Sequence, residues 1–234
     1  MQKPYGKSDN TKPVRDIAYE KLKQDIILGE LPAGTRIVEI EYSEKMHISR
    51  TPLREALRKL EKDGLVEYIQ RRGVVVRAFT VDDINEIYTI RNALELLTLP
   101  SIIEKATPKD ISHLRNLLNQ MDILVKKNDI QALSPLARAF HSDLIAISGM
   151  TRILRVIESQ DEYIKRFSML SIEQEERRNA AHQEHYQIVD YVEKKDLVSL
   201  ETLMKKHIER SKKNCLIALK NTALYRSTVE YNKE

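Results

Sequence analysis

Apolar positions along this chain recur mostly at three- and four-residue intervals, and the register of that recurrence predicts where the elements lie. Ala18, Leu22 and Ile26 form one stripe, giving a first helix that stops at Gly29, with Leu31-Pro32-Ala33-Gly34 as the following turn. A short second helix is expected from Glu39 to Met46. After His47 and Ile48 comes SRTPLREALRKLEKDG, residues 49 to 64. Its Leu53, Ala56, Leu57 and Leu60 share one face, and Arg50, Thr51, Arg54 and Arg58 share the other. Ser49 is placed to cap this helix, Pro52 is tolerated in its first turn, and Asp63-Gly64 supplies a left-handed stop. The period then shortens. LVEYIQRRGVVVRAF contains two β-prone segments around Arg71-Arg72-Gly73, a hairpin with a basic tip. Three helices and such a hairpin make a winged helix-turn-helix domain over residues 14 to 79, preceded by a polar arm over residues 1 to 13.

Beyond Phe79 the period is helical throughout. Thr80 with Asp83 reads as a capping box, and Ile84, Ile87, Tyr88, Arg91, Leu94 and Glu95 run down one side of the helix it opens. Pro100 is expected to kink or restart that helix, because it cannot donate to the preceding turn. Thr107-Pro108-Lys109-Asp110 opens a second helix carrying Ile111, Leu114, Leu118, Met121 and Val125. Amphipathic segments follow over about 132–148, 152–170, 175–193 and 197–219, with Asp196 capping the last and Gly149 closing the first. The fold class is therefore mainly α: the winged helix, then an all-α bundle of about six helices over residues 80 to 220, then a polar tail over 221 to 234.

Composition narrows the function. With 32% charged residues, six Gly and no Trp, the chain suits long amphipathic helices. It has no membrane-length apolar run and no apolar core near its N-terminus, so a cytoplasmic protein is expected. The single Cys215 excludes an internal disulfide and any cysteine-rich zinc module. The net charge of +4 is carried by the first third: residues 1 to 79 hold 16 Lys plus Arg against 12 Asp plus Glu, and the remainder is balanced at 23 each. A basic module that meets a polyanion, joined to a neutral one, has this distribution.

The arginines of residues 49 to 64 are what a major-groove helix needs, since guanidinium groups fork onto guanine edges or phosphates and first-turn N–H groups favour a phosphate. A solvated charged helix has the same composition, and it is the surrounding helix-turn-helix pattern that favours DNA. In the bundle, His141 shares a face with Leu144, Ile145 and Ser148, His185 with Ile188, Val189 and Val192, and His207 with Leu200, Leu203 and Met204. Each alone fits a hydrogen-bonded core histidine. Three neutral imidazoles brought together suit Zn²⁺ or Ni²⁺ with positions open to a ligand. Arg91 sits on the apolar side of its helix with Glu95 one turn on, which fits either a structural ion pair or a clamp for a carboxylate. Tyr163 and Arg166 are candidates for the same cavity, and His182 reads as peripheral to it.

GELPAGTRI followed by ISRTPLREALRKLEKDGLVEYIQRRGVVV resembles the DNA-binding domain of GntR-type bacterial transcription regulators. The resemblance implies operator contacts from Arg50, Thr51 and Arg54 and entry of a wing containing Gly73 into the minor groove. Ile40 stands where members of the FadR branch often place a further DNA-contacting arginine. IRNALE near Arg91, AFHSDLIAISGM around His141, EHYQIV at His185 and KKHI at His207 resemble the helical FCD effector-binding domain of that branch. In that family the matching histidines join an Asp, four residues before the first, to bind a divalent metal. Here that position is Ala137.

The expectation is thus a homodimeric regulator that reads an inverted repeat in double-stranded DNA. Arg58, Arg71 and Arg72 join the implied contacts, and a small carboxylate binds near Arg91 beside a metal held by His141, His185 and His207. Two alternatives stand beside it. A metal-dependent hydrolase would use the same histidines but needs a general base near the bound water, and residue 137 is Ala. In the other, the histidines of a DNA-binding protein are purely structural.

Overall fold

The computed structural model describes residues 12–78, 80–172 and 175–221. Apart from residues 12, 13 and 221, the expected arm and tail lie outside these residues, as does the side chain of Arg166. The described chain before position 79 forms one compact unit and the chain from Thr80 onward a second.

In the first unit α1 (Val14–Leu28) packs against α3 (Arg50–Lys62), with α2 (Glu39–Lys45) across the end of α3. The stripe predicted for α1 is buried at Ala18, Leu22 and Ile26, and Gly29 ends the helix at φ 79. On α3, Leu53, Ala56, Leu57 and Leu60 are all buried, each leucine contributing roughly 1.5–3 kcal/mol relative to exposure. Tyr19 adds a polar tie, its hydroxyl donating to Asp63 Oδ2 at 2.5 Å. Gly64 follows α3 with φ 71, the left-handed stop expected.

The hairpin is present as β2 (Val66–Ile69) and β3 (Gly73–Val76), paired antiparallel with Ile69 opposite Gly73. A third strand, β1 (Arg36–Ile37), pairs antiparallel with the other edge of β3. Two residues carry no readable alternation, so this strand has no signature in the sequence.

Ser49 is the N-cap residue of α3, but its side chain makes no capping hydrogen bond. Such a hydroxyl accepts from the N–H of the second or third helical residue, and the third is Pro52, which has none. The expected cap therefore forms in position only.

The second unit contains α4 (Val81–Lys105), α5 (Pro108–Lys127), α6 (Ile130–Ala146), α7 (Thr151–Ser171), α8 (Glu175–Glu193) and α9 (Leu197–Asn221). The capping box expected of Thr80 with Asp83 forms at the start of α4, and Thr107 with Asp110, expected only to open a helix, makes a second one at the start of α5. Asp196 accepts from the Ser199 N–H at 3.0 Å and opens α9. Pro100 does not restart the first of these helices. α4 continues through it, and the ring lies on the exposed side, where the carbonyl it leaves unbonded can be hydrated.

α9 packs on α4, α7 and α8, while α5 packs on α6 and α8. Phe140 on α6 and Ile188 and Val189 on α8 are fully buried between them. His182 is buried but stands outside the histidine cluster and its cavity, peripheral to them as expected, with Asp122 Oδ1 on α5 2.6 Å from its Nε2. Tyr186 donates to the other oxygen of Asp122 at 2.7 Å, so this pair of contacts ties α5 to α8. No described helix is long and apolar enough to cross a membrane.

Candidate functional site

Two groups of residues carry chemistry, one in each unit. On the winged helix, burial of the apolar stripe of α3 turns Arg50, Thr51, Arg54 and Arg58 outward, and all four are exposed. The Arg54 Nε donates to Glu39 Oε2 on α2 at 2.7 Å. That partner, fifteen residues away, had no local signal. The turn leading into α3 is made by His47 in the left-handed region at φ 53.

At the hairpin tip Arg71 and Arg72 are exposed, and the Arg72 N–H returns to the Ile69 carbonyl at 3.0 Å. Arg71 itself adopts φ 69, a conformation that glycine reaches more cheaply. Gly73 has φ 82, and a Cβ there would meet nothing within 4 Å. Its backbone angle requires the glycine; space does not. Ile40, on the first turn of α2 beside Glu39, is 55% exposed.

The second group lies in the helical unit. His141 on α6, His185 on α8 and His207 on α9 converge. Nε2 of His141 stands 3.2 Å from Nε2 of His185 and 3.3 Å from that of His207. All three donor atoms lie within 4.8 Å of one another. Nitrogens bonded to one ion at about 2.0–2.1 Å stand roughly 2.8–3.0 Å apart in octahedral and roughly 3.3–3.4 Å apart in tetrahedral geometry. Two of the edges are thus already at ligand spacing. Phe140 packs on this cluster, its ring centroid 4.8 Å from that of His185.

Protonation favours ligation. Burial, reinforced by the charge of neighbouring groups, pushes His141 and His185 well below the ordinary histidine range, so both are neutral at physiological pH. Glu184, which the sequence reading did not single out, accepts from His207 Nδ1 at 2.7 Å. This contact behind the ring turns Nε2 of His207 toward the other two imidazoles. Burial raises the Glu184 pKa, but hydrogen bonds from His207 and Arg210 and the charge of Arg177 outweigh it and bring it down to about 2. The remaining ring nitrogens, Nδ1 of His141 and of His185, are buried without a hydrogen-bond partner.

These rings open on a cavity of about 100 Å³, also lined by Tyr88, Arg91, Ser134, Ala137, Arg138, Arg177, Ala181 and Ser211. Arg91 makes the structural pair expected of it, Nε to Glu95 Oε1 at 2.9 Å, and faces the cavity as well. Arg138 and Arg177 had escaped the sequence reading. Arg138 donates to Ser134 Oγ at 2.9 Å, and Arg177 lies 3.5 Å from Glu184. None of the described lining residues is a carboxylate. Glu184 stands behind His207 and not in the cavity wall, so the described lining residues offer no carboxylate as a general base.

The sequence matches two families. Residues 15–76 match the bacterial regulatory proteins of the gntR family, and residues 86–210 match the FCD domain. The HTH-type transcriptional regulator YdhC of Bacillus subtilis is 30% identical over 179 residues, covering 76% of this chain and 80% of that protein. The HTH-type transcriptional repressor RspR of Escherichia coli is 25% identical, covering 85% and 87%. Among solved structures, E. coli McbR/YncC superposes with a TM-score of 0.68 at 20% identity, covering 93% of this chain and all of that one. A GntR regulator from Rhodococcus sp. RHA1 superposes at 0.67 and 23% identity, covering 86% and 97%. At those identities the superpositions speak for the fold.

Proposed function

This chain belongs to the gntR family of bacterial regulatory proteins and carries an FCD domain, which makes it a DNA-binding transcription regulator and not an enzyme, and from that premise we propose that a metal-assisted carboxylate site controls its hold on an operator. The observation that carries the proposal is the convergence of three imidazole Nε2 atoms on a cavity walled by arginines.

On the DNA side, Arg50, Thr51, Arg54 and Arg58 of α3 face the major groove. Arg71, Arg72 and Gly73 form the wing tip that approaches the minor groove. Glu39 holds the Nε edge of Arg54 and so leaves the outer guanidinium nitrogens to the bases or phosphates. Two copies of the chain form a homodimer on an inverted repeat, because one winged helix contacts too little DNA for useful specificity. The setting is the cytoplasm, where the DNA is.

On the effector side, His141, His185 and His207 hold a divalent ion such as Zn²⁺ or Ni²⁺, with Glu184 orienting His207 from behind. When bound, the ion supplies open positions for the oxygens of an acid. The donor set fits the ion in spacing and protonation. Its charge is what requires a companion: Ala137 brings no carboxylate to the wall, and Arg91, Arg138 and Arg177 add positive charge. A small carboxylate that enters beside Ala137 supplies the missing anion, and Arg91 is placed to hold it.

Elemental analysis of native-purified protein, followed by thermal-shift screening of organic acids with and without Zn²⁺ or Ni²⁺, tests this reading. An effector should raise the melting temperature in a metal-dependent manner and alter operator affinity. A protein that neither retains nor regains metal, and whose His185→Ala variant responds to every acid as the parent does, would return the histidines to a structural role.

A further inference from the structure

The exposed face of α3 does not end at α3. Glu39, the first residue of α2, accepts from Arg54 Nε at 2.7 Å, which brings the first turn of α2 to the edge of the face formed by Arg50, Thr51, Arg54 and Arg58. As an exposed pair, with side chains 31% and 56% accessible, Glu39 and Arg54 add little to stability. What they fix is position. A duplex seated on Arg54 comes up to the first turn of α2, and the residue that follows Glu39 there is Ile40.

Ile40 is 55% exposed, more than any other large aliphatic residue described before position 79. Exposed aliphatic residues are common, and Val14, Ile17 and Leu28 of α1 call for no partner. Ile40 differs in its surroundings. Ser43 is the buried residue of α2, and Ile40 gives that side only its carbonyl, which accepts from Ser43 Oγ at 2.8 Å. The first turn of α2 carries acids and no base: Glu39 is engaged by Arg54, and Glu41 is exposed. Lys45, in the last turn, lies over the Tyr42 ring with Nζ 5.6 Å from its centroid. A phosphate therefore finds no cation next to Ile40 in that turn. What an isoleucine can gain against DNA lies on the base edges, and the apolar feature of the major groove is the 5-methyl group of thymine. A β-branched side chain on a helix has its χ1 already restricted, so it loses little freedom in packing there.

We propose that Ile40 is a specificity-determining residue that packs against a thymine methyl group in each half-site, beside the base edge met by Arg54. This rests on the reading of α3 as the major-groove helix and adds to it a reader from α2. The feature recognised is a methyl group and not a hydrogen-bond pattern. Thymine and 5-methylcytosine satisfy it, whereas deoxyuridine and cytosine do not. One methyl group moved from water into an apolar contact is worth about three- to fivefold in affinity, so two half-sites give about ten- to twentyfold.

The test uses the full chain and a duplex that it enriches from random-sequence DNA, with affinity read by fluorescence anisotropy at fixed salt. Each thymine, together with its symmetry mate, is replaced in turn by deoxyuridine, which removes the methyl group and keeps every hydrogen bond of the pair. One such replacement should weaken binding by the parent about ten- to twentyfold. In Ile40→Ala the same replacement should have no effect, and this variant should bind the unmodified duplex about as the parent binds the deoxyuridine one. At that position, changing cytosine to 5-methylcytosine should strengthen binding by the parent and not by the variant. Parent and variant should bind a scrambled duplex equally, which neither a folding defect nor a lost phosphate contact would give.

If no deoxyuridine replacement weakens the parent, the proposal is overturned whether or not the variant folds. A loss that persists undiminished in Ile40→Ala also overturns it, because another side chain, such as the methyl of Thr51, then reads the base. Arg54→Ala separates the two levels. If Arg54→Ala binds the selected duplex like the parent, or the selection enriches no sequence, the reading of α3 fails and Ile40 fails with it. If Arg54→Ala loses affinity while no thymine methyl matters, only the assignment of Ile40 fails.

Discussion

The two units handle positive charge in opposite ways. In the winged helix the arginines stand in solvent on the far side of a buried stripe, and their placement follows from one helix alone. In the bundle Arg91, Arg138, Arg177 and three histidines are turned inward, and their meeting depends on α4, α6, α8 and α9 packing correctly. An exposed charge costs little to maintain, and acts by displacing counterions from DNA. A buried one is costly unless something opposite completes it.

The largest effect that separates the two is on the bundle core. Phe140→Ala, at a fully buried position packed on His185, should destabilise by about 3–5 kcal/mol in chemical denaturation. Metal and acid binding should weaken with it. An isolated reading helix has no such dependence: Arg54→Ala should lower operator affinity by about 1–3 kcal/mol in fluorescence anisotropy at fixed salt, with little change in the unfolding midpoint. Should Arg54→Ala bind a defined operator like the parent, the outward face of α3 is not the reading face.

Glu184→Gln sharpens the contrast from within the bundle. Replacing the carboxylate behind His207 should weaken metal binding about ten- to a hundredfold in a competitive chelator titration. Operator-independent folding should remain cooperative. A smaller effect is expected at Gly73→Ala in the wing. With open space around its Cβ, only the positive φ resists the substitution, at about 1 kcal/mol. Operator affinity should fall more than thermal stability does.

The smallest concerns pH. Burial works to raise the Asp122 pKa, but hydrogen bonds from His182 and Tyr186 prevail and lower it. A depressed carboxylate contributes stability above its unfolded pKa and loses that contribution as pH falls through the folded value. Its side chain is 39% exposed, so screening keeps the contribution below about 1 kcal/mol. Asp122→Asn should flatten the stability profile below about pH 4 without changing its shape near neutrality.

What the sequence reveals of this molecule follows the range of each interaction. The capping box of Thr80, the helix start at Thr107, the stops at Gly29 and Gly64, and the apolar stripe of α3 are all local, and each is legible. The inward direction of His141, His185 and His207 is legible too, because helical periodicity alone decides it. Glu184 and Glu39 were not, since each is defined by a partner on another helix: His207 is 23 residues from Glu184, and Arg54 is 15 from Glu39. Arg138 and Arg177 look like ordinary surface arginines until the neighbouring helices enclose them. Pro100 left a kink and a restart both open, and the helix does not restart. Its effect depended on whether solvent reaches the carbonyl it leaves open, which is a property of the packed bundle.

The start of α3 shows how a fold can hold stability back for use elsewhere. Pro52 deprives the Ser49 hydroxyl of its usual donor, and the first-turn N–H of Thr51 has no acceptor within the helix. A helix with a complete capping box would satisfy the Ser49 hydroxyl and its own N–H internally, typically gaining about 0.5–2 kcal/mol in the free protein. Leaving them open keeps hydrogen-bonding capacity at the tip of the reading helix, where a phosphate oxygen can use it. Optimising this turn, for example by Pro52→Glu, would then make a hardier protein and a poorer reader of DNA. Thermal robustness and operator affinity would move in opposite directions at a single residue.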